Sequence, residues 1–253
     1  MHGRTGVASR ALAAGVGLAA GAYAAYVAVA WRRYGHVTAT TSGTADDLLD
    51  QFMPVYDVVE RHHIRVAAPA HVTMAAAREM DITHGPIVRA IFKGRELLLR
   101  SAPDVRPRPR QFVPEMLALG WGVLAEVRDR EIVMGGATKP WQANPVFRAI
   151  PPCDFAAFQE PDLVKIVWTL RADPLNDGES IFRTETRAIA TDAGARAKFR
   201  RYWAFLSPGI ILIRWLTLPG LRAEAERRVR DGALSEGAPR PAPLRSDAAE
   251  STS

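Results

Sequence analysis

The chain has 253 residues, 48 % hydrophobic and 24 % charged, the balance of a globular protein with enough length for one domain and a real core. Its formal charge is +6, and only Lys93, Lys139, Lys165 and Lys198 of its 33 basic residues are lysines. The single cysteine, Cys153, excludes an internal disulfide and a cysteine-built metal site, and nothing resembling an RNP motif, zinc-finger spacing or basic stripe with interleaved aromatics points to nucleic acid.

After a short flank (1–10), residues 11–31, ALAAGVGLAAGAYAAYVAVAW, carry no charge and no proline. At ~1.5 Å per residue they reach about 30 Å, the thickness of a bilayer hydrocarbon core. Arg4 and Arg10 precede the run, Arg32 and Arg33 close it, and Tyr23, Tyr26, Trp31 and Tyr34 gather at its C-terminal half, as a membrane interface selects. Ala28-Val29-Ala30 resembles a signal-peptidase site, so a cleaved signal is the alternative to a retained single-pass anchor. The run exceeds the ~7–15 residues of a signal core, and Trp31-Arg32-Arg33 forms a stop flank, which favours the anchor. Two arginines on each side leave orientation open. Gly17 and Gly21 match a GxxxG spacing through which two copies could pair.

Residues 32–54 read as a polar linker, 55–230 as the folded domain and 231–253 as a disordered tail rich in Ala, Pro, Ser and charge. Tyr56–Ala67 is a strand candidate; Ala70–Met80 and a stretch opened by Pro86 are short helices, the second with Ile87, Ala90, Ile91 and Leu98 on one side. The loop RSAPDVRPRPRQFVP is too rich in proline for a regular element. Strands are expected at Trp121–Val127, Glu131–Thr138, Val146–Ile150, Leu163–Arg171 and Ile181–Ile189, with turns at 128–130 and 174–178. Asp192 is placed to N-cap a long helix whose stripe is Phe199, Trp203 or Tyr202, Leu206, Ile210 and Ile213. This order is α+β: a curved antiparallel sheet with a long C-terminal helix across its concave face, plus the N-terminal transmembrane helix.

With that order, YDVVERHHIRVAAPAHVTMAAAREMD resembles the START-like polyketide cyclase/dehydrase superfamily (SRPBCC), whose fold is the helix grip. There a strand leads into "APAHV", as in Ala68-Pro69-Ala70-His71-Val72 here. GWGVLAEVRDREIVMG, FAAFQEPDLVKIVWTLRADP and TETRAIATDAGARAKFRRYWAFLSPG are similar to a bacterial branch of it, so the resemblance spans about residues 55–220. It implies a bacterial plasma or inner membrane for the anchor, and a cavity between sheet and helix. The lining candidates are Val164, Ile166, Trp168, Phe182, Thr184, Phe199, Tyr202, Trp203 and Leu206.

Strand alternation assigns the faces. Val164, Ile166, Trp168 and Leu170 face the helix; Lys165, Thr169 and Arg171 oppose them. Arg183, Glu185 and Arg187 are expected in solvent, with Glu185 pairing to Lys165 or Arg171. Glu60 and His62 share a face with Ile64 and Val66, so a carboxylate and an imidazole meet on one wall, either for acid–base chemistry or as a wet rim. Gly135-Gly136 suits close backbone packing or a bulge. His36, His62, His63, His71 and His84 lack HExxH-type spacing, so no metal and no cofactor are expected. In IILIRWLTL, Ile211, Leu212 and Trp215 with Arg214, Arg222, Arg227, Arg228 and Arg230 suit a bilayer surface; burial against the first helices or a dimer partner is the alternative.

The leading expectation is a membrane-anchored domain binding a hydrophobic small molecule or lipid. The alternatives are a cyclase-, dehydratase- or hydrolase-type enzyme using His62 and Glu60, and a non-catalytic partner domain of a membrane complex with a filled interior.

Overall fold

Five strands, alternating in β3, β6 and β7 and buried on both faces in β5, pair into one antiparallel sheet: β3 (Val58–Val66), β4 (Gly122–Val127), β5 (Glu131–Thr138), β6 (Val164–Asn176) and β7 (Glu179–Ala190), in the spatial order β3-β7-β6-β5-β4. The computed structural model of the chain describes residues 3–34, 36, 38–39, 46–82, 85–101 and 109–237. Two-residue strands β1 (Thr38–Ala39) and β2 (Val55–Tyr56) pair beside the sheet. The helices are α1 (Gly3–Arg33), α2 (Asp47–Asp50), α3 (Ala70–Glu79), α4 (Pro86–Leu99), α5 (Phe112–Ala118), α6 (Pro152–Phe155) and the 45-residue α7 (Ala193–Gly237).

The β6–β7 hairpin closes over Asp177-Gly178, where the Asn176 side-chain oxygen accepts from the Gly178 N–H at 2.9 Å and steadies the turn. Its register sets the inner face: His62 opposes Thr184 and Glu60 opposes Thr186, while Thr186 opposes Trp168 across the other side of β7. Asp192 does cap the long helix, accepting from the Ala195 N–H at 2.8 Å. Helix α7 then runs across the sheet through Pro208 and Pro219.

Two apolar clusters fill the space between sheet and helices. One gathers Trp168, Leu170, Phe182, Ile132 and Met134 with Met74 of α3 and Leu221 and Ala225 of α7. The other gathers Val164, Ala188 and Ala190 with Phe199, Trp203 and Ala204 of α7, and with Ala30 and Tyr34 at the end of α1. A third cluster lies on the opposite face, where Leu49, Met53 and Phe155 meet Val133, Ala137 and Val167. Gly135 lies under that layer: a Cβ there would come within 2.5 Å of Leu124 Cδ1 and 2.8 Å of Phe155, so close packing requires glycine.

The structure corrects several expectations. The outer face is in solvent only toward the hairpin end, where Arg183 is exposed as expected; Glu185 and Lys165 are buried and Arg187 is fully so, because α2, α6 and the chain around Met53 cover them. Glu185 pairs with Arg61 (2.8 Å) and Arg187 (2.6 Å), and Lys165 donates to the Phe155 and Ala156 carbonyls at 3.1 and 2.9 Å. The end of the stretch read as linker thus builds core, with Asp46 capping α2 by accepting from the Leu49 N–H at 3.0 Å.

The proline-rich loop ends in a helix, α5. Pro114 falls in its first turn, where the missing N–H has no intrahelical partner to lose. Residues 102–108 of that loop lie outside the described residues. Val146–Ile150 forms no strand; Arg148 alone bridges Ala137, at the place where β5 extends beyond the start of β4. Residues 231–237, read as tail, continue α7, and 238–253 lie outside the described residues.

Candidate functional site

Glu60 and His62 sit two apart on β3, an edge strand, and the pleat turns both toward α7 with Val58 and Val66, which are buried. Thr184 and Thr186 stand beside them on β7 by register. From above, Arg214 of α7 reaches down: Nη1 donates to Thr184 Oγ1 at 3.2 Å and Nη2 donates to Thr186 Oγ1. Burial lowers the Arg214 pKa to about 10, a shift that the nearby Glu60 carboxylate opposes, and Glu60 accepts a 2.6 Å hydrogen bond from the Tyr34 hydroxyl. Burial first, then the Glu60 hydrogen bond and charge, push the Tyr34 phenol well above its ordinary range. Six polar side chains from α1's exit, two strands and one helix therefore meet at one place on the inner face.

Their hydrogen bonding is incomplete. His62 Nε2 is buried without a hydrogen-bond partner among the described residues, as is Trp203 Nε1 on the same side of α7. Leaving a buried donor or acceptor unpaired costs about 1–3 kcal/mol. Burial, then the Arg214 and His63 charges, lower the His62 pKa, so the ring is neutral at neutral pH and offers one donor and one acceptor nitrogen.

The nine lining candidates divide between the two inner clusters. Val164, Phe199, Tyr202 and Trp203 pack around Tyr34, with the Trp203 ring edge-on to Tyr34 at 5.9 Å; Ile166 touches both clusters. Leu206 is half-buried on α7. Trp168 and Phe182 are buried in the other cluster, where Trp168 lies 5.1 Å from the Phe112 ring and 5.9 Å from Trp121. Trp168 is thus core packing rather than open wall. Thr184 stands at the junction as the acceptor for Arg214.

Tyr34, Thr186 and Arg214 were absent from the candidates. Arg214 was expected at the bilayer surface, because a nine-residue run apolar around its whole circumference hides which way its one charge points. Thr186 was legible, since it shares the alternating face with Thr184. Tyr34 was grouped with the interface aromatics of the anchor, and nothing in the sequence signals its contact with Glu60, 26 residues away.

A concavity of about 540 Å³ opens away from this cluster, between the end of α3, the start of α4 and α7. Ala76, Met80, Val88, Leu216 and Leu221 make its apolar floor, with Glu79, Glu224 and Arg228 at the rim. Among the described residues no three His, Cys, Asp or Glu side chains converge so as to hold a metal ion.

The fold is thus α+β: a curved five-stranded antiparallel sheet gripped by a long C-terminal helix, with an apolar helix at the N-terminus. No family model and no curated protein matches the chain. Among solved structures it is similar to a hypothetical protein from Helicobacter pylori (TM-score 0.36, 9 % identity, covering 74 % of this chain and 99 % of that one). It is also similar to the Zhui aromatase/cyclase from Streptomyces sp. R1128 (TM-score 0.28, 15 % identity, 69 % and 97 %). The di-domain aromatase/cyclase BexL of the BE-7585A biosynthetic pathway is a third (TM-score 0.23, 13 % identity, 68 % and 46 %). Likeness at these scores decides nothing about chemistry, which rests on the chain's own geometry.

Proposed function

We propose that this chain is a membrane-anchored helix-grip domain that binds an amphipathic molecule, a lipid or a hydrophobic compound with one polar end, between the sheet and α7. The observation that carries the reading is the polar cluster at Arg214 with the buried, unpartnered His62 Nε2, together with the unpartnered Trp203 Nε1 next to Tyr34, set against the two apolar clusters. Sites for such ligands are mostly apolar with a few convergent polar groups. An anionic or hydroxylated end would meet the guanidinium and complete the hydrogen bonding of His62 and Trp203, while the aliphatic part lies along Ile166, Phe199 and their neighbours. The anchor is helix α1, whose residues from Ala14 to Arg33 are long and apolar enough to cross a bilayer.

Native mass spectrometry of the detergent-extracted full chain tests this. The expected result is a co-purifying amphipathic adduct on the wild type that is lost from Arg214→Gln. A wild type free of any adduct, or an adduct held equally by the variant, overturns the reading.

A further inference from the structure

Helix α4 buries only Val88 among its 14 residues, although its sequence carries a well-formed apolar side. At about 100° per residue, Val88, Ile91, Arg95 and Leu99 share the arc that meets the body of the protein; Ile91 lies against Gly209 of α7. Ile87, Ala90, Gly94, Leu97 and Leu98 share the next arc, and it faces outward, with Leu97 72 % exposed. Arg89 and Lys93 follow on the third arc. This is the pattern of a helix lying in an interface, apolar on one flank and basic on the other.

The same inversion occurs on α7. Its sheet-facing arc holds Phe199, Trp203 and Leu221, all buried. The contact to α1 is made through Ser207, whose hydroxyl lies 2.9 Å from that of Tyr26, and the contact to α4 through Gly209. These positions stand about 160° to 200° apart on the circumference. Between them, on the side away from the sheet, run Phe205, Leu212, Trp215 and Leu216, every one exposed and Trp215 67 % so. From Phe205 to Leu216 that stripe is about 16 Å long. Apolar side chains on two adjoining helices thus form one outward surface, contiguous with α1, against which α7 is held by the Tyr23–Phe205 and Arg200–Trp31 hydrogen bonds.

We infer that the outward face of α4 and α7 docks on an anionic bilayer surface, the same membrane that α1 enters, so that the domain lies on the membrane rather than hanging from it. Three observations select this occupant. The face is continuous with a helix of span length. The charges bordering it are basic at Arg32, Arg33, Arg201 and Arg89, with Lys93 paired to Glu96 at 3.1 Å, a net positive border that fits anionic headgroups. Trp215 at its centre is the residue type enriched where apolar chain meets headgroup. The 540 Å³ concavity shares Ile87 and Leu216 with this face, so it opens where lipid would be. The inference uses the anchor of the proposed function but not its ligand.

Spin labels read the contact directly in the full chain. In a Cys153→Ser background, single cysteines are placed by Leu97→Cys, Trp215→Cys and, within α1, Val16→Cys; Cys153 itself, exposed on α6 across the sheet from α7, serves as the water-facing control. Nitroxide-labelled protein is reconstituted in vesicles of equal parts phosphatidylcholine and phosphatidylglycerol, and oxygen accessibility is compared with that of a nickel chelate. The expected result is a reversal: oxygen exceeds chelate at 97, 215 and 16, and chelate exceeds oxygen at 153. In pure phosphatidylcholine the reversal is lost at 97 and 215 and kept at 16. Chelate-accessible labels at 97 and 215 with a lipid-exposed label at 16 overturn the docking and leave the anchor standing; water-like behaviour at 16 as well removes the anchor. Label–label broadening at 97 or 215 assigns the face to a second copy of the chain, and a reversal that persists without phosphatidylglycerol overturns the anionic surface.

Discussion

Strand β7 supplies polar residues to both faces of the sheet, and they meet opposite fates. On the outer face Arg187 is wholly buried, yet its charge is answered: it donates to Glu185 at 2.6 Å, to Asp50 and to the Met53 carbonyl at 2.7 Å, and lies over the Tyr56 ring at 5.1 Å. On the inner face Thr184 and Thr186 receive Arg214, while His62 Nε2 on β3 and Trp203 Nε1, next to Tyr34, are unpaired among the described residues. Apart from Arg187 Nη2, which makes no hydrogen bond, the outer network closes on itself and ties the 46–57 segment to the sheet. The inner one is short of partners. A network that answers its own charges is architecture, whereas one with open hydrogen-bonding capacity in an apolar setting is where a ligand gains most.

The contrast can be broken first at Arg187. Arg187→Ala removes the buried guanidinium that faces Asp50 and shares Glu185 with Arg61, and is expected to cost about 3–5 kcal/mol in urea unfolding of the detergent-solubilised chain. A loss below about 1 kcal/mol would mean that water, not the guanidinium, answers those carboxylates.

Trp168→Ala sharpens the inner side. Trp168 is packed against Phe112 and Trp121, so its removal should cost about 3–5 kcal/mol, as for core filler. A cost nearer 1–2 kcal/mol would show that it borders open space and that ligand volume extends to this cluster.

A smaller effect is expected from the outer carboxylates. Burial, then the neighbouring Asp46 carboxylate, push Glu131 up to about 7, with Arg171 and Thr169 opposing. The folded state therefore holds this proton more tightly than the unfolded chain. The associated stability is complete below the ordinary Glu range near 4.5 and is lost as pH rises through about 7. Glu131→Gln should flatten that fall, which is on the order of 2–3 kcal/mol, in urea midpoints measured from pH 4.5 to 8. An unchanged pH profile in the variant would locate the titration elsewhere.

The smallest change is at the exposed edge. Arg65 and Glu179 pair at 2.7 Å in solvent, and Arg65→Ala should shift stability by no more than about 0.5 kcal/mol.

Much of this was legible in the residues. Alternation along β3 and β6 put Glu60, His62, Val164, Ile166 and Trp168 on the helix side, and the 3.6-residue stripe of α7 named Phe199 and Trp203. Two things were not legible. Period-two alternation separates the faces of a strand but does not say whether a second layer covers the polar one; that layer comes from residues 46–57 and 152–155, short and weakly patterned. Periodicity also fails on segments apolar all round, which is why Arg214 was grouped with a bilayer surface when it points to Thr184; and grouping Ile87, Ala90, Ile91 and Leu98 on one side of α4 does not say that most of them face out.

The central claim is that the unpaired groups under α7 hold the polar end of an amphipathic ligand, and NMR of the Trp203 indole N–H tests it most directly. The full chain in phosphatidylcholine nanodiscs would be titrated with palmitate, with the indole signal assigned by Trp203→Phe and the His62 imidazole followed in parallel. The account predicts that the Trp203 and His62 signals shift together and saturate, while those of Trp31 and Trp215 stay in place. Movement of Trp31 and Trp215 alone, with Trp203 and His62 fixed, would contradict it.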